Sequence, residues 1–205
     1  MKTTVLALTF LLAAGAAVQD RVKKLTPDDL PKLLTSASKS LDGKRYAACA
    51  RDLRSALGVL AGLVRQQLLA TMPAAPEGFT AEPDPEGEDA GAFAAMIGVV
   101  APAAERTWRR NDGDGELRVS ITPDAPMAPM LVTAFNMAQF DKAAEIVTYK
   151  ADKALLRKEG ESVTLQILLG GKHLIDVSAT GMDADAVLKV VDQAFVDRVL
   201  AALSS

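Results

Sequence analysis

The feature that most constrains the fold is a change of hydrophobic periodicity along the chain. Up to about residue 72, apolar side chains recur every three or four positions, as in amphipathic helices, whereas the last hundred or so residues alternate, as in strands. The clearest alternation is "SVTLQILL", after which Gly170-Gly171 predicts a tight hairpin turn into "KHLIDVSAT". Helices followed by strands with short turns predict an α+β fold built on an antiparallel β-meander sheet.

Residues 24–72 are predicted to form a helical hairpin. Thr26, Pro27 and Asp29 suit a capping box at the start of the first helix, and a break at "SLDGK" precedes a second helix from Lys44 to Met72. The expected apolar stripe of the second helix is Tyr46, Cys49, Leu53, Leu57, Leu60, Val64 and Leu68.

Residues 101–205 are predicted to form the antiparallel-sheet domain. "ELRVSIT", "AEIVTYKA" and "KALLRK" are expected strands, and "PMAPMLVTAFNMAQF" is an expected short, methionine-rich helix. A second capping box over Thr180 to Asp183 predicts one C-terminal helix. We expect these helices to cover one face of the sheet.

The stretch "NDGDGE", residues 111–116, resembles part of a calcium loop. Placing Asp112, Asp114 and Gly115 at the third, fifth and sixth loop positions puts Arg110 first and Ile121 twelfth, where oxygen ligands are required. Because Asn, Asp and Gly also tolerate the positive φ angles of hairpin loops, we expect a turn between two strands.

The N-terminus predicts export. "MKTTVLALTFLLAAGAAVQD" has a basic start, a short apolar run and the small-residue motif Ala14-Gly15-Ala16, which is the layout of a secretory signal peptide. The apolar run is shorter than the about 20 residues that span a membrane. We expect a signal peptide over residues 1–17, cleavage near Ala16 or Ala17, a periplasmic or secreted location and a mature chain without a transmembrane segment.

Residues 73–100 are predicted to be an exposed connector, because prolines and acidic residues dominate it. A short strand is expected around Phe79. The acidic cluster lacks the ligand spacing of an ion site, so a solvated loop is the preferred interpretation.

The composition gives little support to catalysis or to nucleic-acid binding. The chain has 23 basic and 26 acidic residues and 4% aromatics, so it lacks both the basic face and the stacking platforms of nucleic-acid binders. His173, the only histidine, is expected at the rim of the core, and Cys49, the only cysteine, is expected to be buried. One residue of each kind makes neither a zinc site nor a catalytic triad. We expect no enzymatic activity and no cofactor.

Three methionines are the candidate metal ligands. Met127, Met130 and Met137 share a face of the short helix, and thioethers suit copper(I). Methionine also fills irregular cores and lines adaptable protein-binding grooves. Packing is the preferred interpretation because no histidine or cysteine lies near them in the sequence.

A two-part pattern resembles a group of uncharacterised exported bacterial proteins. Its first part is "GKRYAACARDLRSALGVLAGLVRQQL" leading to "MPAAPEGFTAE", and its second part is "RVSITPDAPM", the hairpins and "ATGMDADAVLKVVDQAFVDRVLAAL". The resemblance covers most of the mature chain and implies export, but it brings no catalytic residues to this chain.

These observations favour an exported, non-enzymatic accessory protein that binds a protein partner, with the helical hairpin or the open sheet face as the surface. The alternative is a carrier of a small ligand or copper in a pocket between the sheet and the helices.

Overall fold

The fold is α+β, as the sequence predicts. The computed structural model describes residues 25–83, 103–141, 143–150 and 152–204. These residues form five α-helices, which are α1 Leu30–Asp42, α2 Tyr46–Thr71, α3 Ala128–Met137, α4 Ala184–Val190 and α5 Gln193–Ser204. They also form seven strands, which are β1 Phe79–Ala81, β2 Ala104–Arg110, β3 Glu116–Thr122, β4 Ala144–Tyr149, β5 Asp152–Glu159, β6 Ser162–Leu169 and β7 His173–Thr180.

The chain divides into two compact units, one ending at Val59 and the other beginning at Leu60. The predicted signal peptide and most of the predicted connector, including its acidic cluster apart from Glu82, lie outside the described residues. No helix in the described part of the chain is long and apolar enough to cross a membrane.

The predicted helical pair is present, and α1 with the first part of α2, up to Val59, makes up the described helices of the first unit. The capping box is confirmed, since the Thr26 backbone N–H donates to the Asp29 carboxylate at 3.1 Å. The Ser36 hydroxyl donates to Asp52 at 2.6 Å, which brings the middle of α1 beside the second turn of α2. A short loop and this side-by-side contact require the two helices to run antiparallel.

The apolar stripe predicted for α2 is only partly buried. Of its seven residues, Cys49 and Leu68 are buried, whereas Tyr46, Leu53, Leu57, Leu60 and Val64 are exposed. Periodicity correctly identified the residues that share one face of this helix. It did not show which residues of this face are buried.

The second unit is built on one antiparallel sheet with the strand order β1-β2-β3-β7-β6-β5-β4. β1 to β3 follow one another, and β4 to β7 form a four-stranded meander whose last strand pairs with β3. The strand expected around Phe79 is present as β1. The crossing from β3 to the far edge strand β4 runs through α3.

Helices lie on both faces of the sheet, so the expectation of helices on one face is wrong. The main core contains Leu165 of β6 and Val177 of β7, together with Phe195 of α5. A second cluster joins the alternate residues Leu168 and Leu174 to α3. Because neighbouring strand residues point to opposite faces, these two clusters lie on opposite sides of the sheet.

The "NDGDGE" stretch is the predicted turn between β2 and β3. Its side chains are held by protein groups: Asn111 Oδ1 accepts from the Thr80 hydroxyl at 2.6 Å, and Asp112 pairs with Arg110 at 2.9 Å. The expected reason was wrong, because none of the loop residues is among those with positive φ. Gly115 is required instead by crowding, since a Cβ there would lie 2.8 Å from the Arg110 side chain.

Two predicted details at the C-terminal end need correction. Gly170 and Gly171 do have positive φ, but Lys172 belongs to the hairpin loop as well, because Leu169 pairs with His173.

The predicted single C-terminal helix is two helices, α4 and α5. Thr180 closes β7, and Asp183 alone caps α4 by accepting from the Ala186 N–H at 2.7 Å.

Candidate docking surface

Helix α3 has a buried inner side that fixes it to the sheet. The Ala125 N–H donates to the Lys172 carbonyl at 2.7 Å, which holds the start of the helix at the β6–β7 hairpin. Ala128 and Leu131 are buried against Leu168 and Leu174. These contacts settle which side of α3 faces solvent.

The solvent side of α3 carries large apolar side chains. Met130 is 75% exposed and Phe140, in the short 3₁₀ turn that continues the helix, is 81% exposed. Met127 and Met137 are also more than half exposed. We call Met127, Met130, Met137 and Phe140 the methionine surface.

The methionine surface lies in a stretch without charge. No charged residue occurs between Asp124 and Asp141, although an exposed helix normally carries charged or polar residues on its solvent side. Its exposed side chains present on the order of 500 Å² of mostly apolar area, which is as large as the largest patches of typical monomers. Such patches mark sites of interaction.

The expectation that these methionines pack in the core is therefore wrong, whereas the expectation of an adaptable protein-binding surface is compatible with their exposure. The periodicity correctly placed Met127, Met130 and Met137 on one side of a helix, but the core side is formed by Ala128, Leu131 and the partly buried Phe135. Sequence reasoning missed Phe140. The uncharged run from residue 125 to residue 140 is the pattern that could have identified it.

As metal ligands, the three methionines are not equivalent. Met127 and Met130 are separated by about one helical turn, whereas Met130 and Met137 are separated by about two turns, or roughly 10.5 Å along the axis. Met127 and Met130 thus form the closer thioether pair. Among the described residues, no group of three or more His, Cys, Asp or Glu side chains is placed to hold a metal ion.

His173 is buried, as predicted for the rim of the core, and its Nδ1 atom is engaged. The Asp124 backbone N–H donates to Nδ1 at 3.0 Å, so in the neutral ring the proton is on Nε2. Burial lowers the pKa of His173, and this effect outweighs the opposing attraction of the Asp124 carboxylate, whose oxygen is 3.8 Å away. This histidine acts as a structural acceptor at the end of the sheet.

The sheet face on which α3 packs also carries paired polar side chains. The Arg118 guanidinium binds Glu105 at 2.7 Å, and this hydrogen bond raises the pKa of Arg118. Gln166 donates to Asp176 at 3.0 Å. Arg109 pairs with Glu82. These contacts are typical of a solvated sheet face in which the charges compensate one another.

Cys49 is buried in the helical pair, as predicted. Comparison with known proteins found no matching family model, no matching curated protein and no matching solved structure.

Proposed function

We propose that this chain is an exported, non-enzymatic accessory protein that binds a partner protein through the methionine surface. The observation that carries the proposal is the exposure of three methionines and a phenylalanine on an uncharged helix. Methionine side chains are flexible and polarisable, and they recur at binding surfaces that adapt to different apolar partners. The expected partner presents an uncharged apolar groove or helix face.

Support for the non-enzymatic part comes from the placement of the two residues best suited to catalysis. His173 accepts a backbone hydrogen bond at Nδ1, and Cys49 is buried in the other compact unit. Support for export comes from the N-terminal layout of a basic start, an apolar run and Ala14-Gly15-Ala16. Mass spectrometry of the protein from the periplasm or medium should give a mature N-terminus at Ala17 or Val18.

Photo-crosslinking in living cells tests the docking surface. A photoreactive residue at Met130 should give a discrete adduct, and the matched probe at Asn136, on another side of α3, should not. Adding Met137→Glu should remove the adduct because it places a charge in the apolar contact, whereas Met137→Leu should retain it. Adducts of equal yield at both probe positions, or adducts insensitive to Met137→Glu, would remove the basis of the proposal.

A second candidate function is copper(I) binding by the exposed thioether pair Met127 and Met130. Soft sulfur ligands favour copper(I), and the pair is accessible from solvent. Titration of copper(I) against a chromogenic chelator should show competition by the wild-type chain that is lost in Met127→Leu/Met130→Leu. Equal competition by the two proteins would exclude this site.

A further inference from the structure

The buried side chains of α1 and of the first part of α2 are small. The buried residues of the pair, among the described residues of the first unit, are Ala37, Ser40, Cys49 and Ala56. Small side chains bury little apolar area. The helical pair therefore lacks a core of large side chains of its own.

Five large apolar side chains of the helical pair within the first unit are exposed to solvent. Tyr46 is 65% exposed and Leu57 is 64% exposed, and three leucines accompany them. We define the outer apolar face of the pair by five residues: Leu34, Leu41, Tyr46, Leu53 and Leu57. Leu34 and Leu41 are seven residues apart, as are Tyr46 and Leu53, which is the spacing of helices that pack along a seam.

These five residues share one side of the helical pair. With a rotation of about 100° per residue, the exposed leucines of α1 lie roughly a quarter turn beyond the buried Ala37 and Ser40. The exposed residues of α2 lie a similar rotation beyond Cys49 and Ala56. The two helices run in opposite directions. Rotations of equal size and sense about the two helix axes, measured from the side on which the helices face each other, therefore place both sets of residues on the same side of the pair.

We propose that the outer apolar face binds the same face of a second copy of this chain, so that two helical pairs form a four-helix bundle. A two-fold arrangement makes each face its own partner, and none of the five residues is charged, so no like charges would meet at the centre of the contact. The exposed parts of the five side chains present on the order of 500 Å² per copy, which approaches the roughly 800 Å² per partner of a stable interface. The bundle supplies the core that the isolated pair lacks. The outer apolar face and the methionine surface have no residue in common.

Sedimentation analysis of the mature chain at micromolar concentration tests the proposal. The wild-type chain should have twice the mass of one chain. Leu57→Glu and, independently, Tyr46→Lys should each give a single chain, because each places a charge in the seam. Both side chains are largely exposed, so far-ultraviolet circular dichroism should show unchanged helix and strand content.

Met130→Glu is the matched control, because it adds the same charge to a similarly exposed apolar residue outside the outer apolar face. It should leave the dimer intact. A wild-type chain that sediments as a single copy would overturn the proposal and assign the face to another occupant. A dimer that persists in both Leu57→Glu and Tyr46→Lys would overturn it as well.

Discussion

The Tyr149 hydroxyl connects the edge strand β4 to the break between the two C-terminal helices. It donates to the Val191 carbonyl at 2.8 Å, and the side chain is buried. Burial, together with the negative charge of Asp192, raises the pKa of Tyr149 to about 12, so the hydroxyl remains a donor at physiological pH. We expect Tyr149→Phe to lower the free energy of unfolding by about 1–2 kcal/mol, because the Val191 carbonyl loses its donor.

Urea titration of the wild-type chain and of Tyr149→Phe measures this loss. Equal unfolding midpoints for the wild type and Tyr149→Phe would show that the hydrogen bond contributes nothing.

His173 should make stability depend on pH. Its pKa is lowered in the folded protein, so the unfolded chain takes up the proton first as the pH falls. Stability is then complete above the ordinary histidine pKa of 6.5 and decreases as the pH falls from there towards the lower folded-state pKa. His173→Gln keeps an acceptor for the Asp124 N–H but does not titrate. Between neutral pH and a pH of about 5, the free energy of unfolding should therefore decrease more for the wild type than for His173→Gln. Equal decreases in the two proteins would contradict the prediction.

At the scale of elements, the break between α4 and α5 depends on Asp192. Its carboxylate accepts from the Phe195 N–H at 2.7 Å, which is the side-chain contact of a helix N-cap. We expect Asp192→Ala to destabilise the fold by about 1 kcal/mol and Asp192→Asn to have a much smaller effect, because asparagine also caps helices well. Thermal or urea unfolding of the three proteins measures the difference, and equal effects of alanine and asparagine would argue against capping.

The elements differ in how far the sequence predicted them. Alternation located β3, β6 and β7 because one face of each strand is buried in the main core. The apolar periodicity from Val187 to Val199 concealed the α4–α5 break, since Val191 is itself buried and no glycine or proline marks the position. For α2 and α3, periodicity showed which residues share a face, but not whether that face meets the protein's own core or solvent. The exposure of the methionine surface was therefore not predictable from spacing alone.

At the scale of the whole molecule, the strand order was also beyond the sequence patterns. Local turns predict the hairpins, but the pairing of β7 with β3 joins residues more than fifty positions apart, for example Val177 with Val119. This pairing places β3, β7 and β6 at the centre of the sheet, where each strand has a neighbour on both sides. β1 and β4 are left as the two edges.

This arrangement predicts a gradient of hydrogen exchange across the sheet. Amides of β7 should exchange slowest, because the strand is paired on both sides and Ile175 and Val177 are fully buried, so that exchange requires global unfolding. Amides of the three-residue edge strand β1 should exchange first, and those of β4 should be intermediate because Tyr149 fixes its end. Peptide-resolved hydrogen–deuterium exchange measures the order. In Tyr149→Phe, the protection of backbone amides from exchange should fall in β4 and remain unchanged in β1. An equal fall in both edge strands would mean that the Tyr149 hydroxyl stabilises the whole sheet and not this edge alone.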